Sequence, residues 1–497
     1  MCGIAGILQQ SANEQVQAMI ATLAHRGPDG SGVQGLDRAS LGHARLAILD
    51  VEGGRQPMQF GDTWIVFNGE IYNYRELQHR YLADESLKTH SDTEVILHLY
   101  RKFGPTFVEM LDGMFAFVIH DRDEFLMARD PLGIKPLYFG PGTDGISHYF
   151  ASEVKALTRQ VELLREFPAG HWFHSKLGWN RFYKINETIE PFGGDVELAL
   201  PLIKTTLRDA VHKRLLADVP VGVSLSGGLD SSIVSALACE STDQLHSFAV
   251  GVDGSEDLAA ARKMADVLHT QHHELVYDTE DMAQALPDVL YHLETFDPAL
   301  VRSAIPNYFL AKLAAQYVKV FLTGEGADEI YAGYDYMHDY DSPDDLQAEM
   351  IHITEALHNT NLQRADRISM AFSLEARVPF LDVKSVALAL SFPAEWKLHR
   401  GRVPKALLRR AFANDLPAEI VNRPKQKFSK GAGSSDLIAQ EAETQISDSD
   451  FASESKRLKD EWDYTLQNKE ALHYYRILRT HYEDKWIFPA MGQSRSL

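Results

Sequence analysis

Val219-Pro-Val-Gly-Val-Ser-Leu-Ser-Gly-Gly-Leu-Asp-Ser-Ser232 is a mostly apolar run that opens into a Gly-rich turn, and Ile233–Glu240 behind it reads as a helix. A strand, a tight turn and a helix N-terminus together make a concave set of N–H donors suited to an anion. Glycines let the backbone approach phosphate oxygens, and serine hydroxyls add further donors. The pattern G-x-x-x-x-G-K-[ST] is absent, so this is not a γ-phosphate kinase loop. Asp230 within the turn repels phosphate unless a divalent cation lies between them, which implies Mg²⁺. A Ser-Gly-Gly turn also suits a linker, but its place between strand and helix favours the anion site.

Working outward, strand-like runs recur at His246–Val250 and Val318–Thr323, with helical patterns between them. Strands alternating with helices predict a parallel sheet, whose ligands gather at the carboxyl ends of the strands. Val318–Thr323 ends in Gly324-Glu-Gly-Ala-Asp-Glu329. Glu325, Asp328 and Glu329 form either a solvated acidic turn or a cluster that needs a cation. An amphipathic helix precedes the first loop and runs to about Ala217. Ahead of it the polar stretch Glu187–Asp195, with Pro191, Gly193 and Gly194, reads as a linker. This divides the 497 residues into domains at 2–185 and 200–489, a linker at 186–199 and a loose tail at 490–497. After the second loop the chain reads as mainly helical, with Ser342-Pro-Asp-Asp345 a well-formed helix start.

The first domain carries short apolar runs at Trp64–Phe67, Met114–His120, Glu124–Ala128 and Pro136–Phe139, and helical periodicity at Glu94–Lys102. It reads as a β-rich α/β domain. Gly140-Pro-Gly-Thr-Asp-Gly145 matches G-x-G-x-x-G literally, yet it lies between strand-like runs with no helix after it, so it is a turn. Cys2 becomes the terminal residue if the initiator Met is trimmed. A free α-amine, with a pKa of about 8, then accepts the thiol proton without a histidine. Alone, a cysteine at this position signals little. Asn68-Gly69-Glu70 follows a strand and offers an amide and a Gly N–H to an oxyanion, or else forms a plain Asn-Gly hairpin turn. Arg45, in Gly42-His-Ala-Arg-Leu-Ala-Ile-Leu49, has the fork that grips a carboxylate. Asp92 either holds an ammonium group or simply starts a helix.

The formal net charge is −21, and no basic face is concentrated anywhere, which excludes nucleic acid as a partner. Two cysteines far apart, Cys2 and Cys239, argue against a disulfide framework and for the reducing cytoplasm. The N-terminus lacks a signal-peptide pattern, and no apolar stretch reaches membrane-spanning length.

Several motifs in the first domain together resemble the class II glutamine amidotransferases. They are Cys2-Gly-Ile-Ala-Gly6, His25-Arg-Gly-Pro-Asp29, Phe67-Asn-Gly-Glu-Ile-Tyr-Asn73, Gly113-Met-Phe-Ala-Phe117 and Arg129-Asp-Pro-Leu-Gly-Ile-Lys-Pro-Leu-Tyr138. That family has the N-terminal-nucleophile αββα sandwich. The resemblance implies that Cys2 attacks a glutamine amide, with Asn68 and Gly69 as the oxyanion hole. Glutamine is then bound by Arg45, Leu46, Ala47, Ile48, Leu49, Asn68, Gly69, Glu70 and Asp92.

The two Gly-rich loops, His246–Gly251, Leu374-Glu-Ala-Arg-Val-Pro-Phe-Leu-Asp382 and Arg423-Pro-Lys-Gln-Lys-Phe-Ser429 resemble the asparagine synthetase family. Its synthetase domain is a parallel-sheet ATP-pyrophosphatase, adenine nucleotide α-hydrolase-like, with a helical C-terminal part. For ATP, this resemblance implies a site of Leu225, Ser226, Gly227, Gly228, Asp230, Ser231, Val250, Thr323 and Gly324. It likewise implies that Asp230 and Asp328 hold Mg²⁺, that Glu325 acts where β-aspartyl-AMP forms, and that Lys425 neutralises charge on the α-phosphate. Thr323 stands where many members carry Ser and keeps the hydroxyl; Lys430 follows Phe428-Ser429 where an acid is common.

The activity implied is glutamine hydrolysis, passage of ammonia through an apolar channel, and ATP-driven amidation of aspartate, in a homodimer. The nearest rival is a relative that amidates another carboxylate. A β-lactam-forming cyclase of this architecture is disfavoured because it needs no ammonia, yet Cys2, Asn68 and Gly69 are kept. A non-catalytic paralogue is disfavoured by the intact nucleophile and phosphate loop, and a tRNA-modifying pyrophosphatase by the charge.

Overall fold

The computed structural model describes residues 1–158, 161, 163–242, 244–398, 403–424, 437–488 and 491. The N-terminal strand Gly3–Leu8 is buried at every position, because each of its faces meets a different layer. Ile4 and Leu8 pack with Val66, Ala116 and Val118 of a second sheet. Ala5 and Ile7 pack with Val16, Met19 and Ile20 of the helix Asn13–Thr22. Side chains that alternate across a strand thus fill two cores at once. The second sheet repeats the arrangement: Ile65 and Phe67 turn outward to Val95, Ile96 and Leu99 of the helix Asp92–Phe103. Each sheet has six strands, paired antiparallel throughout. This is the αββα sandwich expected of the first domain.

The second domain is built on a five-stranded parallel sheet. Its order is Gln271–Val276, His246–Gly251, Val221–Ser224, Val320–Leu322, Glu375–Arg377. On one face Val223 and Leu322 pack against Ile203, Leu207, Ile233 and Val234. On the other, Phe248, Val250 and Phe321 pack against the helices Thr279–Leu293 and Pro298–Ala314. The helical remainder lies C-terminal, and Ser342 caps the helix Pro343–Glu355 through the Asp345 N–H.

Three local expectations are corrected. The strand Thr63–Ile71 continues through Asn68 and Gly69, so that dipeptide is neither a strand end nor a hairpin turn. The helix after the first Gly-rich turn begins at Leu229, which places Asp230, Ser231 and Ser232 in its first turn. The helix expected after the linker starts before residue 200, as Val196–Arg214, capped by Asp195 on the Leu198 N–H. Phe192 ahead of it packs against Phe392 and Trp396. The expected tail falls almost wholly outside the described residues, whereas Trp486 just before it is buried in the first domain's core beside Val16 and Ile20.

The two domains meet through buried charge. The Met1 ammonium lies 3.3 Å from Glu375 Oε2, Arg377 Nε donates to Glu375 Oε1 at 2.6 Å, and Arg377 Nη2 lies 3.6 Å from Glu70. Arg377 Nη1 also donates to the Arg214 and Leu216 carbonyls. Although burial disfavours the charge, the Met1 amine and Arg377 hold Glu375 down to about 2. Removing one partner of a buried pair leaves the other uncompensated. Arg377→Ala is therefore expected to lower the urea midpoint by the equivalent of about 3–5 kcal/mol. Combining Glu375→Gln with Arg377→Met should recover part of that loss; an unchanged midpoint in the single variant would show that the joint does not depend on Arg377.

Candidate active sites

In the first domain the nucleophile candidate sits where the first strand starts, on a backbone held from two sides. The Cys2 N–H donates to Asn68 Oδ1 at 3.0 Å, and Arg26 Nε donates to the Cys2 carbonyl at 3.0 Å. Cys2 Sγ lies 3.8 Å from the Leu46 carbonyl. Burial pushes the Cys2 thiol above its ordinary range, with the terminal amine opposing that shift.

With its amide oxygen engaged, Asn68 Nδ2 is buried and has no partner among the described residues. The strand supplies a second donor beside it. Phe67 N–H donates to Gln56 Oε1 and Ile71 N–H to Asp92 Oδ2, so odd positions face away from the neighbouring strand. That alternation sends the Gly69 N–H to the same edge. A Cβ at Gly69 would lie 2.1 Å from the Met114 carbonyl, so the close pairing admits only glycine.

The residues around this pair arrive from three segments. Arg45 Nη1 and Nη2 donate to the Val51 and Asp50 carbonyls at 2.8 and 2.7 Å, which fixes the guanidinium plane. Leu46, Ala47, Ile48 and Leu49 are buried. Their backbone is tied to both domains: Ala47 N–H donates to Asp29, and the Ile48 carbonyl accepts from Asp218 N–H. Asp92 opens the helix Asp92–Phe103, and burial, opposed by the Ile71 and Thr93 N–H groups, pushes it up to about 6. Glu70 turns toward Arg377, and burial together with Glu375 raises its carboxyl well above the usual range.

In the second domain both Gly-rich turns open on one cleft of about 330 Å³. Leu225, Ser226, Gly228, Asp230, Ser231, Val250, Thr323, Gly324, Glu325 and Asp328 all line it. Gly227 lies behind this lining, at φ +67°, where a Cβ would meet the Ala260 backbone at 2.5 Å. Ser231 Oγ accepts from the Ser226 N–H at 3.2 Å, closing the loop over the start of the helix Leu229–Cys239. At Gly324 a Cβ would lie 2.8 Å from Asp230 Cβ, so the two loops abut directly.

Charge in the cleft is arranged in part by Lys405 and Arg364, which no sequence motif singles out. Lys405 Nζ bridges Asp230 Oδ2 at 2.5 Å and Asp328 Oδ1 at 2.6 Å. Despite its burial, those two carboxylates raise the Lys405 pKa. Arg364 Nη2 donates to Glu325 Oε1 at 2.7 Å. Arg423 Nη2 donates to Asp257 at 2.7 Å, while its Nη1 reaches the Ser226 carbonyl at 3.2 Å. Burial, with Asp328 adding to it, pushes Glu329 up to about 7. Lys405 follows Pro404 with no periodic pattern around it, so its charge is the only local signal it carries. Lys425, Lys427 and Lys430 lie outside the described residues.

Residues 1–171 match the family model of a glutamine amidotransferase domain, and residues 202–346 and 339–486 match that of asparagine synthase. The chain is 40% identical over 512 residues to asparagine synthetase [glutamine-hydrolyzing] 3 of Arabidopsis thaliana, covering 96% of this chain and 87% of that one. It is 40% identical over 522 residues to a probable asparagine synthetase [glutamine-hydrolyzing] of Schizosaccharomyces pombe, covering 96% and 93%. A probable asparagine synthetase [glutamine-hydrolyzing] of Dictyostelium discoideum is 38% identical over 547 residues, covering 100% and 97%.

Proposed function

The chain belongs to the family of glutamine-hydrolysing asparagine synthetases, and on that footing we propose that Cys2 releases ammonia from glutamine for an ATP-dependent amidation of aspartate in the second domain. The observation that carries the glutaminase half is the unpartnered, buried Asn68 Nδ2 beside Cys2. Such a donor, fixed before the reaction, stabilises an oxyanion at no reorganisation cost. Gly69 N–H is the second donor. Once Met1 is removed, the Cys2 nitrogen becomes a free amine within reach of Asn68 Oδ1 and takes the thiol proton. Arg45 receives the α-carboxylate and Asp92 the α-ammonium, with Leu46–Leu49 and Glu70 forming the walls.

Ammonia must reach the second site unprotonated, because the ammonium ion is not a nucleophile. Leu46, Ile48, Met1, Val320 and Met370 form one apolar cluster between Cys2 and the strand Val320–Leu322. That strand leads to Thr323 and Glu325, so the cluster supports the apolar route and the removal of Met1 widens it. In the cleft the Ser226–Ser231 loop cradles the phosphates of ATP. The aspartate side-chain carboxylate attacks the α-phosphate, pyrophosphate leaves, and ammonia displaces AMP from the acyl phosphate. Glu325, held by Arg364, lies where ammonia loses its proton, and Lys425 is the cation for the α-phosphate.

Two carboxylate oxygens that share one ammonium nitrogen at 2.5 and 2.6 Å are also spaced to share a divalent cation. Asp230 and Asp328, with phosphate oxygens and water, therefore suit Mg²⁺, which neutralises phosphate charge when bound. Lys405 must then give way or turn to a phosphate. No helix among the described residues is long and apolar enough to cross a membrane. The free thiols Cys2 and Cys239 suit the cytoplasm, and the assembly carried over from the family is a homodimer.

Cys2→Ala is expected to abolish glutamine-dependent asparagine formation while ammonium salts still support it, with AMP and pyrophosphate released in step. Equal loss with both nitrogen sources would contradict the division of labour; ADP and phosphate as products would contradict adenylylation.

The second expectation concerns pH. Asp92 must be ionised to hold the glutamine ammonium, and its pKa is about 6. The kcat/KM for glutamine should therefore fall as pH drops through about 6, and Asp92→Asn should remove that limb of the profile. An unchanged acid limb in the variant would assign it to another group.

A further inference from the structure

One short helix, Asn361–Met370, touches both sites. Arg364 on it holds Glu325 at 2.7 Å, and Ala365 and Ser369 line the synthetase cleft. Asp366, two residues on, points elsewhere, since residues two apart lie about 200° around a helix. Its Oδ2 and Oδ1 accept from Arg26 Nη1 and Nη2 at 2.9 and 3.3 Å. Arg26 Nε in turn donates to the carbonyl of Cys2 at 3.0 Å. The path from Glu325 to the nucleophile's own backbone is thus two ion pairs, one hydrogen bond and a stretch of rigid helix.

We propose that the helix Asn361–Met370 couples the two sites, with Asp366 as a positioning residue that carries the loading of the synthetase cleft to Cys2 through Arg26. This rests on the function proposed above. Two features support coupling over mere scaffolding. Arg364 is buried, yet its Nε and Nη1 have no partner among the described residues, so an anionic ligand in the cleft gains two ready donors by drawing on this helix. Asp366 and Arg26 are also buried, where fixed charges respond strongly to small displacements. Lys135 at 3.8 Å from Asp366 and Arg367 at 3.5 Å complete its surroundings. A ligand that binds one arrangement of this helix better than another shifts the balance at the far end by its differential affinity.

The test is glutamate release from glutamine by the full-length protein with no addition, with ATP, and with ATP and aspartate together. The unsubstituted protein is expected to change its kcat/KM for glutamine on the order of fivefold when both are present. Asp366→Asn should lose that response while ammonia-dependent asparagine formation is kept, and Asp366→Glu should restore part of it. An unsubstituted protein whose glutaminase ignores ATP and aspartate overturns the proposal without recourse to any variant. A full response in Asp366→Asn overturns it as well. Lack of ammonia-dependent synthesis in the unsubstituted protein would instead overturn the functional reading beneath it.

Discussion

Arg26 donates to three groups at once: the Cys2 carbonyl, Glu153 at 2.6 Å, and Asp366 across the domain boundary. The rest of the molecule is arranged around keeping that guanidinium buried and paired. Glu153 also takes Lys155 at 2.5 Å and His25 at 3.0 Å. Lys155 reaches Glu294 at 3.0 Å, and Arg367 reaches Glu294 at 3.3 Å. Glu294 then accepts from the Val154 and Lys155 N–H groups. Charges this deeply buried contribute little net stability, since desolvation offsets much of their attraction. What they supply is a unique docking, because any other orientation strands several of them without partners. That orientation sets Leu46 and Ile48, close to Cys2, against Val320 of the strand that leads into the second Gly-rich loop.

The fold is legible in the sequence because both domains announce themselves locally. Trp64–Phe67, Met114–His120 and Glu124–Ala128, read as apolar runs, fall within the strands Thr63–Ile71, Gly113–Asp121 and Glu124–Arg129. The first Gly-rich loop is legible because its glycines and serines sit between a strand and a helix. Local pattern misplaces Asn68-Gly69 at a strand end for a physical reason: Asn-Gly is a turn pair locally, and only pairing with Ala116 and Phe115 keeps it extended. It also sets the helix start after Leu229 too late, because Gly228, a poor cap by side chain, serves as one by backbone.

Contacts across the boundary are beyond local pattern. Leu374–Asp382 resembles the family without any evident task, and its Glu375 and Arg377 prove to be part of the joint, while Asp382 ties the segment to its own domain. Asp382 takes Arg214 at 2.8 Å, and Arg377 takes two carbonyls from the same helix end. Lys405 is hidden for a similar reason. A lone lysine after proline has meaning only when Asp230 and Asp328, far away in sequence, converge on it. Charge partners distant in sequence leave no periodicity, whereas packing within an element does.

The central claim is that nitrogen passes between the two sites inside the protein. It is tested most directly by supplying glutamine labelled with ¹⁵N at the side-chain amide, together with ATP, aspartate and an excess of unlabelled ammonium. Asparagine formed by internal transfer should carry the label well above its share of the free ammonia pool. Label diluted to the composition of that pool would contradict the account, because ammonia would then be leaving Cys2 for solvent before reaching the cleft.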